Sequence, residues 1–416
     1  MISDAQVERA DVAVVGGGPA GLAAASALCK AGVGKVVVLE RESAPGGIPR
    51  HARHQGFGLR DLHRSLSGPR YAARWAELAA SAGADLRTET QATGWTDAGA
   101  LEITSPRGRS VLEARAVVLA TGCRERPRAA RLVPGTRPQG VMTTGMLQQV
   151  VYLARELPGR RAVIVGAEHV SFSALLTLSH GGARAVAMVT EHPRHQSLAA
   201  FRAGAAVRFR TPVLTRTAVT AIRGLRRVEG VEATHIDTGK VRELPCDLVV
   251  FTADWIPDHE LAVLAGCVLD PGTRGPTVDA ALRTTRPGLF AAGNLLHGAE
   301  TADVAALSGR SVAESVIRHL DGDPWPTSRV PIECEAPLHW MTPSAIVAPR
   351  DGTHPPFRLR AHEILGSRQV EIGQDARTLW RGRLKRLMPG RSARLPSSWT
   401  AAVDSDGGPV VARVVV

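Results

Sequence analysis

Glycine spacing near the N-terminus carries the clearest chemistry in this sequence. Gly16-x-Gly18-x-x-Gly21, with Pro19 and Ala20 inside it, is a pattern that cradles phosphate. Gly16 allows a tight turn, Gly18 lets a pyrophosphate approach the backbone, and Gly21 lets a helix pack closely on a strand. A helix opening here offers unpaired N–H groups and its positive dipole end to the phosphates. Glu40, 24 residues beyond Gly16, is the residue type and distance that takes the hydroxyls of an adenosine ribose.

A second, damaged copy follows about 150 residues later. Gly166-Ala-Glu168-His-Val-Ser171 has Glu168 and Ser171 where the second and third glycines belong, and Glu191 lies 25 residues after Gly166. A side chain at 168 obstructs the approach of a pyrophosphate, and its carboxylate repels one. Two like charges 4 Å apart cost on the order of 4 kcal/mol at an effective dielectric of 20. Two readings stand: a nicotinamide site in which Glu191 holds a ribose, or a retained domain that binds no dinucleotide.

Positioning these groups takes strands and helices in alternation. Asp11–Val15 reads as a short buried strand, Leu22–Ala31 as an Ala-rich helix closed by Gly32, and Lys35–Leu39 as a second strand. Ala162–Val165, a helix to about His180, and Ala185–Val189 repeat the unit. Further apolar strands are Ala116–Ala120, Asp247–Thr252 and Gly288–Ala292. After Leu320 the texture changes. Asp321-Gly-Asp-Pro-Trp-Pro326 reads as a linker, and short alternating runs such as Gln369–Ile372 predict a small β-rich module to Val416.

Length and composition fit this organisation. At roughly 100–200 residues per domain, 416 residues make about two to four domains. Cysteines at 29, 123, 246, 267 and 334 form no C-x-x-C pair, which argues against a zinc ribbon, an iron–sulfur cluster built by this chain alone, or a thioredoxin-type redox motif, and no metal site is expected. The net charge of +12 raises nucleic acid as a partner. Yet 47 of the 51 basic residues are arginines spread along the whole chain, and Tyr plus Phe number nine, so no nucleic-acid role is expected. The basic run Arg381, Arg383, Lys385, Arg386, Arg391, Arg394 reads as a solvated face or a docking patch for an acidic partner protein. Residues 1–10 are polar and the run Val12–Leu28 is broken by glycines and a proline, so a cytoplasmic protein without a membrane span is expected.

Together, Gly16–Gly21, Glu40, Gly46-Gly47, Ala120-Thr121-Gly122 and Gly288–Asn294 resemble the FAD-dependent oxidoreductases with two dinucleotide-binding domains, the pyridine nucleotide-disulfide oxidoreductase superfamily. The resemblance covers roughly residues 8–320. It implies an α/β fold of two Rossmann-like, three-layer domains. The FAD domain would be discontinuous, 1–135 and 270–325, around an NAD(P)-binding-like domain at 136–269, with the β-rich module at 326–416. FAD would be held by Gly16, Gly18, Pro19, Ala20, Gly21, Glu40, Arg41, Gly47, Ala120, Thr121, Gly122, Gly293, Asn294 and Thr301. Asn294 stands where the family carries an Asp for the flavin ribityl chain. An amide both donates and accepts, so it suits the same hydroxyls. Thr301 would begin a helix pointing its dipole at the flavin.

The family's redox disulfide follows the Gly-Gly pair, but here the segment is Ile48-Pro-Arg50-His51-Ala-Arg53-His54, with no cysteine. A disulfide reductase is therefore not expected. Arg50, His51 and His54 are the catalytic candidates: histidine for acid–base work, arginine for a substrate carboxylate. The alternative is that they bind FAD phosphate or face solvent. Gly47–His51, Leu66–Tyr71 and Pro134–Gly145 are most similar to flavoprotein A or alpha subunits of the opine oxidase, hydroxyproline dehydrogenase and hydrogen cyanide synthase type. That resemblance implies hydride transfer from an amine or amino-acid-like substrate to flavin, with reoxidation by another acceptor. It also implies a partner subunit or electron-transfer protein, in a homo- or hetero-oligomer. Two alternatives stay open: an NAD(P)H-dependent flavin reductase, and a non-catalytic flavoprotein subunit.

Overall fold

A computed structural model describes residues 7–197, 203, 207–298, 300–347 and 356–415. The chain divides into two compact units. One comprises Met1–Arg50, Gln55–Cys123 and Pro257–Val416, and the other His51–His54 and Arg124–Ile256. The units part at 123/124 and 256/257, and the C-terminal module falls within the first unit.

In the first unit, β1 (Val7–Val15), α1 (Pro19–Lys30) and β2 (Val36–Leu39) form the expected parallel βαβ unit, with Val12 beside Val36 and Val15 beside Leu39. Helix α2 (Gly68–Ser81) leads to β3 (Asp85–Arg87), β4 (Gln91–Trp95), β5 (Leu101–Ser105) and β6 (Gly108–Leu119). The sheet runs β3-β2-β1-β6-β5-β4, and the strand Leu289–Ala291 pairs parallel with β6. Valine-rich runs in β1, β2 and β6 are buried along their lengths, as a parallel sheet covered on both faces requires. Helix Ala302–Leu320 packs on α1 so closely that a Cβ on Gly309 would lie 1.9 Å from Ala20 O. Only glycine permits that approach.

The C-terminal module is β, as expected. A five-stranded sheet runs Ala345–Ile346, Val330–Cys334, Val410–Val415, Gly366–Gln374, Arg377–Leu387. A three-stranded sheet consists of Leu338–Thr342, Phe357–Ala361 and Ala393–Leu395. Phe357, Leu359, Val370, Ile372, Leu387 and Val410 are buried in the core between them, which also takes in Ala280 from outside the module.

The second unit holds a five-stranded parallel sheet, in order Val213–Leu214, Arg184–Val189, Arg161–Val165, Leu248–Phe251, Val141–Thr143. A three-stranded antiparallel sheet accompanies it. Helix α3 (Thr144–Gln149) continues into a π turn, and α4 (His169–His180) follows the second glycine loop. Among the described residues no helix is long and apolar enough to cross a membrane.

Candidate functional site

The first glycine loop is built by backbone contacts that exclude side chains. Gly16 has φ +108°, and a Cβ there would lie 2.4 Å from Ala120 O. A Cβ on Gly21 would lie 1.9 Å from Gly16 O. At Gly18 a Cβ would meet nothing within 4 Å. The loop is therefore tight where the protein must close on itself and open where a pyrophosphate would sit. Gly18 is the N-cap of α1 and no side chain caps the helix, so its first N–H groups remain for a ligand.

Other predicted residues converge on this loop. The Gly46 N–H donates to Gly17 O at 2.7 Å, and a Cβ on Gly47 would lie 3.1 Å from Gly18 Cα. Ala120 N–H donates to Val15 O, and the Thr121 hydroxyl and Gly122 carbonyl tie the next turn to Asp258. Gly293 has φ +72°, and a Cβ on it would lie 2.6 Å from Ala20 Cβ. Glu40 is buried and accepts from Gly17 N–H at 2.9 Å and from Glu42 N–H at 2.8 Å. Burial pushes its carboxyl above the usual range, and each oxygen keeps a lone pair for a hydroxyl. Arg41 is exposed, 4.0 Å from Asp258.

Asn294 does more than the sequence suggested. Its Oδ1 accepts from Glu300 N–H at 3.0 Å and its Nδ2 donates to Glu300 O at 3.2 Å. It clamps the loop leading to Thr301, with one hydrogen and one lone pair left for a further partner. Thr301 is the N-cap of helix Ala302–Leu320, but its hydroxyl bonds Asp303 and accepts from Arg60 at 3.1 Å, so it caps no backbone N–H. Glu300 is gripped by Arg358 and Arg360, each at 3.4 Å, and by Ser392. His297, buried in the same loop, stacks on Trp340 at 4.8 Å between ring centroids, and burial followed by the Arg360 charge holds it well below the usual histidine range. Trp340, Arg358, Arg360 and Ser392 come from the C-terminal module, whose chemistry was silent in the sequence. The available signal was Phe357-Arg-Leu-Arg-Ala361, with two-residue periodicity and arginines on one face.

The catalytic candidates fall in different units: Arg50 in the first, His51 and His54 in the second. His51 is buried, with Nδ1 3.1 Å from Gln148 Oε1, and Gln148 Nε2 donates to Ser173 at 3.0 Å. Neither Gln148 nor Ser173 stands out in the sequence. Arg53 lies over the Tyr152 ring at 5.3 Å.

The second glycine loop has the opposite character to the first. Glu168 is the N-cap of α4 and forms a capping box with Ser171. Its Oε1 accepts from the Ser171 hydroxyl at 2.8 Å and from Thr252. A Cβ on Gly166 would collide with Thr252 Oγ1, and Glu168 Oε2 would lie 2.8 Å from it. The protein's own carboxylate occupies this helix N-terminus. Glu125, also buried, accepts from Gly145 N–H at 2.7 Å, and burial raises it to about 7.

Residues 10–309 match the pyridine nucleotide-disulphide oxidoreductase family. The chain is similar to the A component of the opine oxidase of Rhizobium meliloti, 29% identical over 74% of this chain and 63% of the relative. It is also similar to the alpha component of the sarcosine oxidase of Rhizobium meliloti (strain 1021), 26% identical over 80% of this chain and 33% of the relative. The chain thus spans less than two thirds of these proteins' length. Its fold is similar to that of the thioredoxin reductase of T. acidophilum, with a TM-score of 0.62 at 23% identity over 75% of this chain and 98% of that one. None of the five cysteines here forms a disulfide.

Proposed function

Because the chain belongs to the pyridine nucleotide-disulphide oxidoreductase family and is an FAD-dependent oxidoreductase, we propose that it oxidises a small amine or amino-acid-like substrate and draws no electrons from NAD(P)H. One observation carries this reading: the start of α1 is uncapped and open, whereas the start of α4 is filled by Glu168. A dinucleotide pyrophosphate at the second loop would have to displace a buried carboxylate from Ser171 and Thr252 and then face its charge. The names of the relatives, components of an opine oxidase and of a sarcosine oxidase, support an amine substrate and a partner subunit or electron-transfer protein that receives the electrons. Cysteines outside any disulfide leave a disulfide relay no place in the scheme.

Bound FAD would supply the hydride acceptor. The glycine loop and the start of α1 would hold its pyrophosphate, Glu40 its adenosine ribose and Asn294 a ribityl hydroxyl. His51 is suited to take a proton. Its Nδ1 lies 3.1 Å from Gln148 Oε1, and Ser173 holds that amide in place, so the imidazole is oriented for proton transfer.

The test is anaerobic mixing of the FAD-loaded protein with a panel of secondary amines and amino acids, and separately with NADH and NADPH, while the flavin band is followed. Bleaching by an amine and not by either nicotinamide supports the proposal. Bleaching by NADH alone would establish the reductase reading, which Glu191, exposed beyond the strand Arg184–Val189, favours. Bleaching by dithionite alone would mark a non-catalytic flavoprotein.

A further inference from the structure

The three-stranded sheet of the C-terminal module carries an unusual concentration of positive charge. Strand pairing sets Arg358 opposite Arg394, and Trp340 opposite Arg360. Like charges directly opposed across strands destabilise a sheet, so this arrangement needs a compensating anion. Arg358 and Arg360, two residues apart, share one face. Both grip Glu300, and Ser392 donates to the same carboxylate and accepts from Arg358 at 3.3 Å. Arg360 also lies over the Trp340 ring at 4.7 Å. From outside the module comes Arg60, 3.7 Å from Asp303 and bonded to Thr301.

The charges do not balance. Among the described residues, Arg60, Arg358 and Arg394 stand against Glu300 and Asp303, and Arg358 is largely buried. Arg358 feels both Arg60 and Arg394 as repulsive neighbours. An independent feature marks the same place. Among the described residues, Nδ1 of His297, on a side chain 95% buried and stacked on Trp340, has no hydrogen-bond partner. Buried polar atoms without partners are uncommon and point to an absent partner. Arg60 and Arg394 are exposed and Arg360 and His297 are buried, so the cluster is open on one side and closed on the other.

We propose that this face of the C-terminal module, Arg358 and Arg394 with Arg60, is a subsite for the carboxylate of a small organic acid, for which Glu300 is the built-in counterpart. The shape argues for carboxylate. Arg358 already holds one carboxylate, that of Glu300, through one guanidinium nitrogen, and a guanidinium's remaining donors suit a second carboxylate of the same kind. The inference rests on the proposed oxidation of an amino-acid-like substrate in naming what the carboxylate belongs to. It gives the module a role in recognition that the family match, ending at residue 309, does not cover.

Isothermal titration at constant ionic strength tests it, with succinate, glycinate and inorganic phosphate added to FAD-loaded and to FAD-free protein. Saturable binding of a carboxylate is expected, weakened tenfold or more in Arg358→Gln and in Arg394→Gln and unchanged in Arg377→Gln, on the five-stranded sheet. Arg394 does not hold Glu300, so its variant keeps the test valid should Arg358→Gln fail to fold. Absence of saturable carboxylate binding, preference for phosphate, or equal binding by wild type and Arg394→Gln would overturn the proposal. Carboxylate binding to a protein whose flavin no amine bleaches would leave the subsite standing and remove the oxidation reading.

Discussion

Replacing Glu125 by Gln should stabilise the protein at alkaline pH and leave it unchanged in acid. Glu125 is buried and its folded carboxyl titrates at about 7, against the usual 4.5, chiefly because burial disfavours the anion. Below pH 4.5 the group is protonated in folded and unfolded chains alike and contributes no pH dependence. Between 4.5 and 7 the unfolded chain gives up the proton while the folded one retains it, so stability falls as pH rises. Above 7 the full penalty is present. At 1.36 kcal/mol for each tenfold step, it amounts to about 3 kcal/mol. Glutamine keeps an acceptor for Gly145 N–H and has no proton to lose. Urea unfolding followed by circular dichroism at pH 4.5 and pH 8.5 would measure this. The difference between Glu125→Gln and wild type should grow by about 3 kcal/mol toward the higher pH. A difference that is constant with pH, or a wild type that gains on the variant at pH 8.5, would refute the reasoning by showing that the ionised carboxylate is well solvated in the fold.

Three further outcomes follow from the geometry. Gly21→Ala places a methyl group 1.9 Å from Gly16 O, so flavin absorbance per mole of purified protein should fall at least tenfold; normal loading would show that the loop yields. Asp61→Ala removes the acceptor of Tyr71 Oη at 2.6 Å and Trp75 Nε1 at 2.9 Å, both buried, and should cost about 2–5 kcal/mol by urea titration. Glu168→Ala removes the cap of α4 and should cost about 0.5–2 kcal/mol, read as a lower thermal midpoint; an unchanged midpoint would mean that the cap is idle.

The βαβ units and the first glycine loop are legible in the sequence because backbone geometry there tolerates few residues: Gly16, Gly21 and Gly293 each stand where a Cβ would collide. The obstruction at Glu168 is equally readable, since any side chain at that position fills a space meant for phosphate. That the same carboxylate is satisfied by Thr252 is not readable, because Thr252 lies 84 residues away and nothing local marks the pairing. The same holds for the grip on Glu300. Arg358, Arg360 and Ser392 reach it across 58 to 92 residues of sequence, and among so many arginines no one position stands out. Asn294 stands out in the sequence as a position, but only the fold shows that its amide serves the chain's own loop.

Backbone contact between Gly309 and Ala20 has a mechanical consequence. Two helices that touch without intervening side chains cannot slide or tilt separately. One of them begins at the glycine loop and the other at Thr301, so both helix starts belong to a single stiff splint. A long, thin cofactor spanning such a splint meets both anchor points at a preset separation. Uptake should accordingly be all-or-none, and analogues shortened at either end should lose affinity far beyond the contacts they forgo.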